Sequence, residues 1–282
     1  MKTLAGKIAV VTGASRGVGR GVALGLGEAG ATVYASGRTE TEGAGPGGLS
    51  GTIHDTAAEV TALGGHGIAV RCDHRDDAQT QALFAQVAQE QGHLDILVNN
   101  VWGGYEHFAD GTEFWKETGF WDAPLSRWDS MFAAGVRAHY VSSVLAVPLM
   151  LPQGRGLIVN TSFFAAQKDD AGVAYGVSKA ADDRMAALMA HELRPHGIAA
   201  VSLYPGLVRT EGVLRAGEHF DLTNSESPQF LGRAVAALAA DPHVLDKSSR
   251  WLVAAELAEE YGFTDTDGKR PISCRAEMLG EI

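Results

Sequence analysis

Tyr175 and Lys179 stand four residues apart in Tyr175-Gly-Val-Ser-Lys179, a spacing that puts both on one face of a helix. A phenol is a poor base at neutral pH, with a reference pKa of about 10. A neighbouring ammonium favours the phenolate, so the pair can move a proton to or from a substrate oxygen. Ser162 lies thirteen residues before Tyr175, after the run Ile158-Val159-Asn160-Thr161, and its hydroxyl could donate to that same oxygen. Near the N-terminus, Thr12-Gly13-Ala14-Ser15-Arg16-Gly17-Val18-Gly19 could wrap a pyrophosphate. Glycine permits the tight turn and the close backbone approach, and the helix behind it offers unpaired N–H groups and a positive dipole end. The two stretches in this order predict hydride transfer between a nicotinamide and a carbonyl or secondary alcohol.

The first turn supplies the cofactor-binding candidates Gly13, Ser15, Arg16, Gly17, Val18 and Gly19. An unphosphorylated ribose usually needs a carboxylate at the end of the second strand, but that strand ends Ser36-Gly37-Arg38. Arg38 and Arg16 carry guanidinium forks suited to a 2′-phosphate, so NADP(H) is expected over NAD(H). Asp73, after the third strand, is placed to accept from the adenine amino group. Asn99 ends the fourth strand and would hold that region beside the cofactor. After the sixth strand, Pro205, Gly206, Val208 and Thr210 must turn beside the nicotinamide, where Thr210 could bond its carboxamide or a phosphate.

Positioning these groups takes alternating strands and helices. Strands are expected at Lys7–Thr12, Thr32–Ser36, Gly67–Arg71, Leu94–Val98, Leu157–Asn160, Ile198–Leu203 and Trp251–Val253, with helices between them. That alternation implies a parallel sheet covered on both faces, an α/β fold. No linker divides residues 1–282, so one domain is expected. Two enlarged loops, about 101–125 and 207–230, would line the substrate pocket. The first carries Trp102, Tyr105, Phe108, Phe114, Trp115, Phe120 and Trp121. The extension at about 254–282 reads as a helix followed by a polar loop.

The net charge of −11 argues against a nucleic-acid partner. No uninterrupted apolar run reaches the roughly 18–20 residues that span a bilayer, and the N-terminus lacks a signal-peptide core. Cys72 and Cys274 make no disulfide framework, so a cytoplasmic protein is expected. The ten histidines are scattered without metal-ligand spacing and read as surface or loop residues. Asp169-Asp170 and Asp182-Asp183 read as solvated charge.

These motifs resemble those of the short-chain dehydrogenase/reductase (SDR) family over roughly Lys7 to Val253. The stretches that carry the likeness are Thr12 to Gly19, Leu97-Val98-Asn99-Asn100, Ser162, Tyr175 with Lys179, and Pro205-Gly206. Within it, Tyr175 to Lys179, His191 to Gly197 and Tyr261 to Pro271 look most like the dehydrogenase/reductase SDR family member 1 branch. The resemblance implies a Rossmann-type, doubly wound, seven-stranded parallel sheet, a homodimer or homotetramer, and NAD(P)-dependent reduction of carbonyls or oxidation of alcohols. Carried onto this chain, Ser162 orients the substrate oxygen, Tyr175 is the acid/base, and Lys179 lowers its pKa and holds the ribose. Many members place an asparagine in the helix after the long loop, where it holds a water in a proton relay; the matching position here is Gly135. The serine pair that often ends the family's strand is here Ser162-Phe163. The alternative is a non-catalytic NADP(H)-binding sensor or scaffold of the same fold.

Overall fold

Ile8–Thr12 is apolar as far as Val11 and buried at every position, as a strand covered on both faces must be. It forms β1. Its alternate residues serve opposite sides, Ala9 and Val11 joining one core and Ile8 and Val10 the other. The computed structural model describes residues 2–106, 119–217 and 220–280.

After β1 come α1 (Gly17–Glu28), β2 (Thr32–Gly37), α2 (Ile53–Ala62), β3 (His66–Arg71), α3 (Asp77–Gln91) and β4 (Ile96–Asn99). Then follow α4 (Leu125–Met131), α5 (Ala138–Met150), β5 (Gly156–Thr161), α6 (Val173–Leu193), β6 (Ile198–Tyr204) and α7 (Glu211–Arg215). The chain continues through α8 (Pro228–Ala240), β7 (Trp251–Val253), α9 (Ala254–Tyr261) and α10 (Arg275–Leu279). The seven strands are parallel in the order β3-β2-β1-β4-β5-β6-β7. This is the parallel sheet that the alternation implies, in the doubly wound, seven-stranded form that the family resemblance implies. Winding reverses between β1 and β4, and a ligand crevice opens outside the carboxyl ends of strands at such a switch point. Val11 pairs with both Ala35 and Val98, so the turns after β1, β2 and β4 leave the sheet close together.

One core joins the sheet to α1, α8 and α9 through residues such as Leu26, Phe230 and Leu257. The other joins it to α3, α5 and α6 through Phe84, Met150 and Leu193. Gly21 and Gly25, one turn apart on α1, meet Pro228 and Gly232 of α8, where an added Cβ would overlap backbone. The close crossing sets α8 directly behind the glycine turn.

One of the helices expected between the strands changes its winding part-way. Between α4 and α5, Phe132–Arg137 adopts a π-turn, the wider winding that often marks functional sites; Gly135 lies within it. The helical stretch Leu125–Gln153 is also long and apolar enough to cross a bilayer by composition, with 44% of its most apolar window buried inside the protein. It is not an uninterrupted apolar run, because Arg127, Asp129 and Arg137 lie inside it. Its Ala146 and Met150 pack in the second core.

The tail is tied to the segment after β6. Asp265 accepts from Arg209 at 3.1 Å and from the Ser227 amide at 2.8 Å, and the Asn224 side chain exchanges two hydrogen bonds with the Ile272 backbone.

Candidate active site

Gly13 and Gly17 adopt φ of +68° and +56°, the left-handed region that glycine enters without strain. Gly19 is needed for another reason: a Cβ there would overlap the Gly13 carbonyl and the Asn100 side-chain amide. Asn100 clamps the turn, donating to the carbonyls of Thr12 (3.0 Å) and Gly13 (3.2 Å). The cleft above includes Ser15, Arg16, Gly17 and Val18 at one end and Ser162, Tyr175 and Lys179 at the other. Asn99 is fully buried behind it, donating to Ser143 and Asn160, both at 2.9 Å. The asparagine that faces the cleft is therefore Asn100, one residue beyond the expected one.

An anionic group already rests on this cradle. The Glu211 carboxylate accepts from the Gly17 amide at 2.8 Å, at the helix N-terminus where a phosphate oxygen would be held. The residues present thus fit a dinucleotide diphosphate: the backbone comes close and the amide takes an anion. Binding requires Glu211 to leave, so Glu211→Gln, which removes the competing charge, should tighten cofactor binding roughly fivefold, about 1 kcal/mol. A fluorescence titration checks it, and unchanged or weaker binding would contradict it.

At the adenosine end, Arg38 pairs with Glu106 and lies 3.9 Å from Asp73. Arg16 is turned onto the 38–51 segment, donating to the carbonyls of Ser50 (2.9 Å) and Gly51 (3.0 Å). Asp73 is gripped by Arg75 at 2.7 and 3.1 Å; that bond holds its carboxyl well below the usual range, at about 2. Pro205 and Thr210 line the cleft. Gly206 instead donates its amide to buried Glu226, whose carboxyl burial pushes up to about 8. Val208 is buried and bridges to Glu226.

The catalytic end is densely aromatic. The Trp102 ring lies 5.4 Å from that of Tyr175, edge-on to Tyr105 at 5.3 Å, and 5.9 Å from the Lys179 ammonium. A Cβ on Gly135 would sit 3.5 Å from Trp102 Cδ1, so the indole fills the space beside the residue that lacks a side chain. Tyr105 also reaches Thr210. Phe108, Phe114 and Trp115 lie outside the described residues, while Phe120 and Trp121 are exposed. Burial raises the Tyr175 pKa, reinforced by Tyr105 and Asp182. The Ser162 hydroxyl is buried and donates to the Lys179 carbonyl at 3.2 Å, tying the end of β5 to α6 where the two catalytic candidates stand.

Two expectations are corrected. Asp182 is 1% exposed; it accepts from Lys179 at 3.3 Å and pairs with His139 at 2.8 Å. Asp183 is half-buried and accepts from Tyr204. Nor are all histidines peripheral: His139 and His74 are both 1% exposed, and His74 contacts Ser36 at 2.9 Å. Neighbours in sequence do not share a helix face. Here α6 is covered on two sides, so each acid meets a different element, Asp182 meeting α5 and Asp183 meeting β6.

A family model described as short chain dehydrogenase matches residues 7–219. The chain belongs to that family. It is 43% identical over 281 residues to mouse "Dehydrogenase/reductase SDR family member 1", covering 95% of this chain and 85% of the relative. The human protein of that name is 40% identical over 284 residues, with the same coverage. Among solved structures, a short chain dehydrogenase from Mycobacterium thermoresistibile superposes with a TM-score of 0.79 at 26% identity, covering 95% of this chain and 92% of that one. This short-chain dehydrogenase is thus an oxidoreductase of the kind that uses a nicotinamide cofactor, NAD(P)(H), on small-molecule substrates.

Proposed function

We propose that the protein is a cytoplasmic NADP(H)-dependent carbonyl reductase and alcohol dehydrogenase, active as a homodimer or homotetramer of single-domain chains. The observation that carries the reading is one cleft bordered by the glycine turn at one end and by Ser162, Tyr175 and Lys179 at the other. The bound nicotinamide supplies or accepts the hydride. Tyr175 protonates the nascent alkoxide oxygen, Lys179 favours the phenolate left behind, and Ser162 donates to the substrate oxygen once its hydroxyl turns from the Lys179 carbonyl. The rings of Trp102 and Tyr105 exclude water, which strengthens each of these interactions.

Arg38 and the absence of a carboxylate at the end of β2 support NADP(H). The 2′-phosphate takes Arg38 in place of Glu106. Arg38→Ala should weaken NADPH binding about 10–100-fold, the worth of a charge-assisted pair, and leave NADH almost unchanged. Paired titrations check this, and equal losses for both cofactors would refute it. A second copy accounts for the apolar side chains Tyr140, Val144, Val177 and Leu188, exposed on α5 and α6. The free thiols Cys72 and Cys274 are consistent with a reducing cytoplasm.

The deciding experiment follows NADPH consumption against ketones, quinones and aldehydes, with Tyr175→Phe alongside. Turnover lost in the variant supports the enzyme. Tight NADPH binding with no turnover across the panel favours the non-catalytic sensor.

A further inference from the structure

Lys179 is held by groups that the motif spacing does not include. Its ammonium donates to the Thr161 carbonyl at 2.9 Å and to Asp182 Oδ2 at 3.3 Å. Asp182 Oδ1 meets His139 Nδ1 at 2.8 Å, and His139 Nε2 meets the Val101 carbonyl at 2.9 Å. All three side chains are buried, with residue exposures of 6%, 1% and 1% for Lys179, Asp182 and His139. His139 stands one turn beyond Gly135, at the start of α5. The place beside Gly135 is filled by Trp102.

A ring of polar bonds fixes the group. Asn99 donates to Ser143 and to Asn160, Ser143 donates to the His139 carbonyl at 2.8 Å, and Asn160 donates to the Asp182 carbonyl at 3.0 Å. The ends of β4 and β5 and one turn each of α5 and α6 are thereby stitched around Lys179. Buried charges persist where they are paired and hydrogen-bonded.

Proton counting then decides the charge. A backbone carbonyl only accepts, and an ionised carboxylate only accepts. Both bonds from His139 are satisfied together only where each ring nitrogen carries a hydrogen. The Asp182 carboxyl is pulled up by burial, but the His139 and Lys179 charges outweigh that and hold it below the usual range. With a hydrogen on each ring nitrogen of His139, Asp182 lies between two cations and the group carries one net positive charge, one helical turn from Tyr175. Without His139, Asp182 would cancel Lys179 and the phenolate would lose its counter-charge.

We propose that His139 and Asp182 are positioning residues that replace the asparagine absent at Gly135, Asp182 fixing the Lys179 ammonium and the His139 imidazolium offsetting the Asp182 charge. The inference rests on Tyr175 being the acid/base. Among the described residues, the other titratable groups around the network are Tyr105, Asp183 and His74. Tyr105 bears on Tyr175, and Asp182 bears on Asp183. His74 faces His139, and burial followed by that neighbour lowers it to about 4, so it is neutral and contributes no competing charge.

Two measurements on the full chain test the proposal. The first is nitrogen NMR of His139 in the wild type with NADP⁺ bound, which needs no substrate. Both ring nitrogens should be protonated at neutral pH, and a neutral imidazole overturns the proposal. The second is a tyrosinate absorbance titration of the NADP⁺ complexes, with Tyr175→Phe as the blank. His139→Gln should move the Tyr175 midpoint up by about one unit. Asp182→Asn should move it down or leave it in place, while weakening NADP⁺ binding because Lys179 is no longer fixed. A merely structural pair would shift both midpoints alike, or neither, and that result overturns the proposal even where both variants stay folded. No tyrosinate signal lost in the Tyr175→Phe blank would instead refute the acid/base reading, and the NMR result would still stand by itself.

Discussion

Replacing Tyr175 by phenylalanine is expected to lower kcat for NADPH-dependent carbonyl reduction by about 10³-fold, within the range typical of a lost general acid. The variant keeps the ring and loses only the hydroxyl. The packing of the Tyr175 ring against Trp102 at 5.4 Å and Phe163 at 6.3 Å should therefore survive, and NADPH should bind with nearly unchanged affinity. Reduction leaves a developing alkoxide that must gain a proton as hydride arrives. In a cleft walled by Trp102 and Tyr105, water is a poor substitute donor. The loss should therefore fall in kcat, and KM should change little. Steady-state kinetics with a binding titration check this. A variant retaining a tenth or more of wild-type kcat would show that another group moves the proton.

The second large effect is expected at Gly19. Gly19→Ala should weaken NADPH binding by at least about 100-fold, on the order of 3 kcal/mol. The added methyl meets the Gly13 carbonyl and the Asn100 amide. Either the turn opens, or Asn100 gives up its bonds to the Thr12 and Gly13 carbonyls. Each outcome displaces amides aimed at the diphosphate, and close-packed surroundings leave no room to relax. The cost lies in the turn's geometry and not in core volume, so the loss of thermal stability should be modest beside the loss of affinity. Calorimetric titration with thermal unfolding separates the two. Wild-type affinity in the variant would mean that the turn is not the diphosphate cradle.

Much of this architecture was legible in the chain. β1 was readable because Ile8 to Val11 is wholly apolar and β-branched Thr12 follows, and the glycine turn because positive φ at Gly13 and Gly17 is a local demand that one residue type meets. That Tyr175 and Lys179 share one face of a helix follows from helical spacing alone. The departure at Gly135 was visible as a missing side chain, but what stands in its place was not. Trp102, which fills that space, is 33 positions earlier in the chain. His139 and Asp182 are 43 residues apart on different helices, and neither has a local pattern that marks it. A histidine one turn beyond Gly135, and an acid three residues after Lys179, were the only signals available.

By itself the sequence determined the order of strands and helices, the diphosphate turn, and the spacing of serine, tyrosine and lysine. All of these are set by backbone preferences or helical repeat within a few residues. Tertiary structure alone decided that Asp182 is buried and that His139 meets it. It also decided that Asn100 rather than Asn99 faces the cleft, and that Glu106 and Glu211 rest where a cofactor's anionic groups would bind. Those facts arise when the parallel sheet brings the ends of β1, β4 and β5 and the faces of α5 and α6 together. A side chain's charge partner is then fixed by packing between segments far apart in the chain, which no local pattern encodes.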